Sequence, residues 1–210
     1  MNKVLLFDFD GTIADSFDNF LEIVETLSDK YNFPKIPLAE IEKSRSLDAR
    51  TLVKRLKIPL YKIPFLAHDM KKMQKEKIAQ LHPFRGLPEV LTSLKNKGYT
   101  LGIITSNAKE NVKLFLKNNN IEVFDYINGD AGMFGKDKLI SNFLKQNGIS
   151  KSDALYIGDE IRDIHASQKA GVKIVAVTWG FNSKAGLSKA SPDFLIDKPE
   201  ELLELLSKQI

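Results

Sequence analysis

The residues best placed to do chemistry stand near the start of the chain, where Asp8-Phe9-Asp10-Gly11-Thr12 follows the apolar run Val4-Leu5-Leu6-Phe7. Two carboxylates two residues apart at the end of a buried strand repel, and each raises the other's pKa unless a cation or a bound proton relieves them. A divalent metal supplies that relief. The same pair offers a carboxylate nucleophile and a separate proton carrier, the two functions needed to make and break an aspartyl-phosphate. Taken alone, Asp-x-Asp-Gly is as often only an acidic turn that ends a strand. Polar residues elsewhere in the chain decide between the readings.

The elements that must position these groups follow from hydrophobic periodicity. Phe17, Phe20, Leu21, Val24 and Leu27 recur at helical spacing behind Asp15-Ser16, which suits a helix N-cap. Pro34 and Pro37 break that run, and the pattern stays helical from Leu38 to about Leu81, punctuated by Pro59 and Pro64. From Pro83 onward helices and strands alternate. The expected strands are Tyr99 to Thr105, Val123 to Ile127, Ala154 to Ile157, Val172 to Val177 and Phe194 to Ile196, and a last helix runs from Pro199. Strands separated by single helices, several of them continuously apolar, predict a parallel sheet covered on both faces. The expected fold is therefore α/β: a doubly wound, Rossmann-like core of residues 1–15 and 83–210, with an α-helical cap of residues 16–82 inserted after the first strand.

In an open parallel sheet, ligands bind at the C-terminal ends of the strands. The first strand ends at Asp8 and Asp10, the second at Thr105-Ser106-Asn107, and the fourth at Gly158-Asp159-Glu160 with Asp163 a helical turn further on; Lys136 opens a helix after Phe134-Gly135. All four ends point at one cleft. A lysine in a first helical turn is disfavoured by the helix dipole, which argues that Lys136 has an anion to serve. Lys138, further into that helix, is the weaker candidate.

These motifs, in this order, resemble those of the haloacid dehalogenase-like phosphohydrolases, and the helical insertion resembles the cap of their phosphoglycolate phosphatase-like branch. The resemblance implies that Asp8 attacks phosphorus while Asp10 donates a proton to the leaving alkoxide and then activates water. It implies Mg²⁺ held by Asp8, the Asp10 main-chain carbonyl and Asp159, with Asp163 orienting Asp159 or metal-bound water from behind. Thr105 and the main-chain amides of Phe9, Ser106 and Asn107 would bind phosphoryl oxygens, and Lys136 would offset their charge. Dehalogenating relatives lack an acid at the Asp10 position, because a halide leaves without a proton. Glu160 and Arg162 read as a solvent-facing surface pair.

Composition narrows the remaining classes. The 210 residues include no cysteine, which excludes disulfides, thiolate metal sites and a thiol nucleophile. No apolar run approaches the roughly 20 residues of a membrane span, so the expected location is cytoplasmic and no membrane partner is expected. The net charge of +4 conceals a local surplus, since residues 40–80 hold eleven Lys or Arg against five Asp or Glu. That segment reads as a solvated helix face rather than a nucleic-acid site, although Lys43, Ser44 and Arg45 within it are candidates to contact an anionic leaving group. The expected partner is a small phosphorylated metabolite such as 2-phosphoglycolate. A pyrophosphatase or sugar-phosphate mutase would use the same residues, and a non-catalytic phosphate-sensing or nucleic-acid-binding module is the alternative from outside enzymology.

Overall fold

The computed structural model describes residues 3–129 and 135–208, so Phe134 lies outside the described residues. Six parallel strands form one sheet: β1 (Val4–Phe7), β2 (Thr100–Ile104), β3 (Tyr126–Asn128), β4 (Ala154–Gly158), β5 (Lys173–Val177) and β6 (Phe194–Ile196), in the spatial order β3-β2-β1-β4-β5-β6. Among the described residues ten α-helices accompany them: α1 (Phe17–Tyr31), α2 (Ile41–Ser44), α3 (Ala49–Arg55), α4 (Ile63–Lys77), α5 (Leu87–Asn96), α6 (Lys109–Asn118), α7 (Lys136–Gln146), α8 (Ile161–Ala170), α9 (Lys184–Lys189) and α10 (Glu201–Ser207).

Side-chain alternation along the strands explains why helices cover both faces. Leu5, Phe7, Leu101, Ile103, Leu155, Ile157, Val175 and Val177 pack into one core with residues of α5, α6 and α10. Their neighbours Val4, Leu6, Ile104, Ala154, Tyr156, Ile174 and Ala176 pack into a second core with α7, α8 and Leu187 of α9. With both sides dry, the strands read as continuous apolar runs, as fully covered parallel strands do.

The strand order reverses between β1 and β4, whose registers align Phe7 with Ile157; on its other side Phe7 aligns with Ile103 of β2. Such a switch point opens a crevice just beyond the strand ends. Asp8, Thr105 and Asp159 are the residues next beyond or at those ends.

Helices α1 to α4 lie between β1 and the rest of the sheet in sequence and carry a small apolar cluster of their own, built on Ile23, Leu27, Phe33, Leu56 and Leu66. The two chain crossings that join them to the sheet are stitched to each other. Asp15 N donates to the His82 carbonyl at 2.9 Å and Phe84 N to the Ile13 carbonyl at 3.1 Å. Ile78 and Leu81, at the end of the helical segment, pack into the core beneath the sheet.

Three expectations are corrected. The third strand is Tyr126–Asn128 rather than 123–127, because Ile121 is buried, Val123 and Phe124 pack sideways against the core, and the Asp125 carboxylate accepts the Leu101 amide at 2.9 Å. Ser16 stands at the N-cap of α1, yet its hydroxyl makes no capping bond. Helix α9 was not expected, its Lys-Ala-Gly-Leu-Ser-Lys sequence being too short to show periodicity.

The Phe9 ring, between the two aspartates, is fully buried and meets Phe115 of α6 edge-to-face at 5.0 Å. Phe115→Ala would leave a cavity beneath the Asp8–Thr12 loop, so urea unfolding should report a loss of about 3–5 kcal/mol. A loss below about 1 kcal/mol would contradict this packing.

Candidate active site

The loop after β1 is wound tightly enough to aim both aspartates into the crevice. The Phe9 carbonyl accepts from the amides of Ile13 and Ala14, both at 2.9 Å, and Gly11 N donates back to the Ala14 carbonyl. Gly11 has φ +76°, and a Cβ there would lie 2.2 Å from Asp159 Oδ2. Only glycine satisfies both the turn and the neighbour. Gly180, after β5, approaches the same carboxylate from the other side, where a Cβ would come within 2.3 Å of Oδ2. Asp159 thus sits in a cradle between two backbones, and its oxygens accept from the Thr12 hydroxyl at 2.7 Å and the Phe181 amide at 2.7 Å.

Asp8 is 1% exposed, and the Lys136 ammonium lies 2.8 Å from its Oδ2. That contact is an ion pair without hydrogen-bond geometry, so Oδ2 is buried with no hydrogen-bond partner. Lys136 donates instead to Asp163 Oδ1 at 2.5 Å, and Asp163 Oδ2 accepts the Glu160 amide at 3.2 Å. Burial alone would lower the lysine's pKa, but the charges of Asp163 and Asp8 outweigh it and raise the pKa, which keeps the ammonium charged.

Asp10 accepts a hydrogen bond from the Asn107 side-chain amide at 2.8 Å. Burial is the largest influence on its carboxyl, which is pushed up to about 6 with the help of the Asp8 charge and against the Asn107 bond. Asp159 is pushed well above the usual carboxylate range, by burial first and then by the charges of Glu160, Asp8 and Asp163. Two neighbouring carboxylates therefore differ from their surroundings' demand: one is paired to an ammonium, the other is poised to carry a proton near neutrality.

The other expected residues distribute as follows. Thr105 is buried and its Oγ1 accepts the Asn107 amide at 3.1 Å, so that amide is already used within the loop. The part of Asn107 that reaches the site is its side chain, locked by Asn111 and by the Ala108 amide. Phe9 contributes its buried ring and its carbonyl, and Ser106 is half-buried beside Thr105. Lys43 is exposed. Arg45 is a clasp: it donates to the carbonyls of Phe181 (3.0 Å) and Gly180 (2.6 Å) and to Glu42 (2.9 Å), and its guanidinium stacks on Phe17. Asn182 completes the clasp by donating to the carbonyls of Arg45 and Leu47.

Glu160 and Arg162 are not a solvent-facing pair. Arg162 donates twice to Glu160 Oε1, at 2.8 and 2.5 Å, and the Glu160 side chain is 14% exposed. Oxygens of Asp8, Glu160 and Asp163 lie within 4.8 Å of one another, a set able to hold a metal ion. The structure thus brings Glu160 beside Asp8, while Asp159 is held by Thr12 and Phe181. Trp179 supports the loop from behind, its indole donating to the Thr12 carbonyl at 3.2 Å.

The donor set fits a hard divalent cation. Among the described residues five carboxylates, Asp8, Asp10, Asp159, Glu160 and Asp163, share the site with two cations, Lys136 and Arg162, and Asp8 Oδ2 is left without a hydrogen bond. All-oxygen ligands select Mg²⁺-like ions over softer metals.

Sequence reasoning missed Thr12, Phe181, Asn182 and the roles of Arg45 and Glu160. The signal for Phe181 and Asn182 was a glycine within Thr178-Trp179-Gly180-Phe181-Asn182 directly after a core strand.

The family model for haloacid dehalogenase-like hydrolases matches residues 5–177. A phosphoglycolate phosphatase from Synechococcus elongatus is 28% identical over 207 residues, covering 98% of each chain. An N-acetylmuramic acid 6-phosphate phosphatase from Pseudomonas aeruginosa is 24% identical over 222 residues, covering 99% of this chain and 96% of that one. A pyrophosphatase from Bacillus cereus is 34% identical over 123 residues, 57% of each chain. Among solved structures, a predicted phosphatase from Clostridium acetobutylicum superposes with a TM-score of 0.83 at 22% identity over 99% of both chains, a likeness of fold.

The Asn107 bond to Asp10 favours the charged carboxylate, so removing it must raise the pKa. In metal-free protein, a carboxyl-carbon NMR titration of Asp10 should give a midpoint near 6, and Asn107→Ala should move it up by about half to one pH unit. A downward or absent shift would contradict the arrangement.

Proposed function

We propose that this chain, which belongs to the haloacid dehalogenase-like hydrolases and is a phosphoric monoester hydrolase, is a Mg²⁺-dependent phosphatase of a small phosphomonoester that works through a phosphoaspartyl intermediate on Asp8. The observation that carries this reading is the buried pair of Asp8, ion-paired to Lys136 at 2.8 Å, and Asp10, bonded to Asn107 with its carboxyl pushed up by burial to about 6. One carboxylate is paired with an ammonium and the other is able to carry a proton. Full-length similarity to phosphatases supports the same reading.

In the proposed reaction an Asp8 carboxylate oxygen forms a bond to phosphorus as the bond from phosphorus to the leaving oxygen breaks. Asp10 gives its proton to that leaving alkoxide. Asp10, now a carboxylate, takes a proton from water, whose oxygen attacks phosphorus and displaces Asp8, releasing phosphate and restoring both residues. Lys136 balances charge on Asp8 and on the transferring group, and Thr105 and Ser106 would bind equatorial phosphoryl oxygens. Mg²⁺ would be held by Asp8 with the Asp10 carbonyl and Asp159, supported by Asp163, or by Asp8 with Glu160, and would supply positive charge to the phosphoryl oxygens. Residues 16–82 act as the cap that shields the reaction from bulk water. Among the described residues no helix is long and apolar enough to cross a membrane, and we place the enzyme in the cytoplasm.

The test is phosphate release from a panel of phosphomonoesters. Activity should require Mg²⁺, vanish with chelator and return on its addition. Asp8→Asn should lower kcat by roughly a thousandfold or more, and Asp10→Asn by roughly 10²–10⁴-fold. Isomerised sugar phosphate without net phosphate release would instead identify a mutase.

A further inference from the structure

Asn182 lies behind the carboxylates rather than among them, yet its side-chain amide is fully engaged. The residue is 7% exposed. Its Oδ1 accepts the Ile161 amide at 2.8 Å, and its Nδ2 donates to the carbonyls of Arg45 at 2.6 Å and Leu47 at 3.0 Å. Its own backbone amide donates to the Asp159 carbonyl at 3.3 Å. These partners belong to two different parts of the chain. Ile161 opens α8, between Glu160 and the turn that carries Asp163, whereas Arg45 and Leu47 belong to the inserted helical segment.

The bond to Ile161 supplies what α8 cannot supply for itself. The first amides of a helix find no acceptor within it. A reciprocal capping box serves two of them here, since the Glu160 side chain takes the Asp163 amide and the Asp163 side chain takes the Glu160 amide. The Ile161 amide between them is met by Asn182. Glu160 and Asp163 reach the site from this same turn, so a side chain that fixes Ile161 also fixes the direction in which both carboxylates project. At the other end of Asn182 the two backbones are in close contact. The Ser183 amide donates to the Arg45 carbonyl at 2.9 Å, the Ser46 and Ser183 hydroxyls are 2.6 Å apart, and a Cβ on Gly186 would lie 3.0 Å from Ser46 Cα. Lifting residues 45–47 would remove both acceptors of Nδ2 at once, and a buried amide that loses its partners must turn to find others.

We propose that Asn182 is a positioning residue that couples seating of the cap segment 45–47 to the site's hold on a divalent cation. The seated segment orients Asn182, Asn182 orients the turn bearing Asp159, Glu160 and Asp163, and carboxylates so oriented bind the ion more tightly. Linkage makes the effect reciprocal: an ion held more tightly when the cap is seated must itself favour seating, by the same factor. The proposal rests on the reading that these carboxylates hold Mg²⁺, and it goes further by giving metal and cap one shared equilibrium.

The experiment uses the full chain and Mg²⁺ alone, without substrate. By calorimetric titration, Asn182→Ala should weaken Mg²⁺ binding about tenfold, the effect expected when a group that orients metal ligands is lost. Arg45→Ala removes the donors to Gly180 and Phe181 but spares the Ile161 bond, and it should weaken binding by about three- to tenfold. The two changes together should weaken it by less than the product of their separate factors. Amide exchange followed by NMR reads the reverse direction. In the unaltered protein saturating Mg²⁺ should slow exchange of the Ser183 amide, whose acceptor is the Arg45 carbonyl, by about fivefold or more, and in Asn182→Ala that slowing should disappear. A merely structural role would lower the Tm of the variants while leaving the Kd for Mg²⁺ and its effect on Ser183 unchanged, and that result overturns the proposal. A Ser183 amide indifferent to Mg²⁺ in the unaltered protein, or no Mg²⁺ binding by that protein, overturns it too. Should Asn182→Ala fail to fold, Arg45→Ala and the unaltered protein still decide. Unchanged metal affinity would sink this coupling and leave the phosphatase reading intact, whereas metal-linked seating with no phosphate released from any compound would sink the phosphatase reading alone.

Discussion

The arrangement depends on keeping several carboxylates close together in a place where water is scarce. Asp8, Asp159 and Asp163 are at most 1% exposed, and Asp10 and Glu160 flank them. Charges so placed destabilise the fold unless each finds a partner. The chain meets this demand with two buried or half-buried cations, with backbone amides from Glu160 and Phe181, with the Thr12 hydroxyl and with one carboxyl poised to keep its proton. Those devices leave one oxygen of Asp8 without a hydrogen bond, and that is the atom beside the lysine. In the proposed reaction a cation and a phosphoryl group would meet the part of this balance that the chain leaves open.

The sheet explains why the charges can be gathered at all. Reversal of strand order between β1 and β4 sets two strand ends beside an open crevice, and β2 adds a third. Asp8, Asp10, Thr105 and Asp159 then come from short loops on rigid strands, and Lys136 from the start of α7. The helical segment closes the space above through a different set of bonds. Arg45, Ser46 and Leu47 bind the loop of Gly180 to Ser183, which also supplies the amide that holds Asp159. Docking of the cap and placement of that carboxylate are therefore mechanically linked.

The strand ends carrying Asp8, Asp10, Thr105, Asp159 and Lys136 were legible because apolar runs and punctuating glycines mark them within the chain itself. The structure brings Lys136 to Asp8 across 128 residues of sequence, a pairing that the family resemblance implied and the cost of a lysine in a first helical turn supported. Contacts made by side-chain conformation were not legible. Glu160 occupies a turn from which it can face either solvent or site, and Arg162 two residues on settles the matter by holding it inward. Arg45 looked like a free cation because its carbonyl partners lie some 135 residues away. The third strand slid because Asp125 stops the ladder with a side-chain bond that no periodicity reveals.

The most direct measurement is an acid quench during turnover, followed by peptide mass spectrometry. With a good substrate and Mg²⁺, the peptide containing Asp8 should carry one phosphoryl group, labile to hydroxylamine, and Asp10→Asn should make it accumulate. Phosphate released steadily while no phosphorylated peptide forms in either protein, or a phosphoryl group found on a residue other than Asp8, would contradict the account.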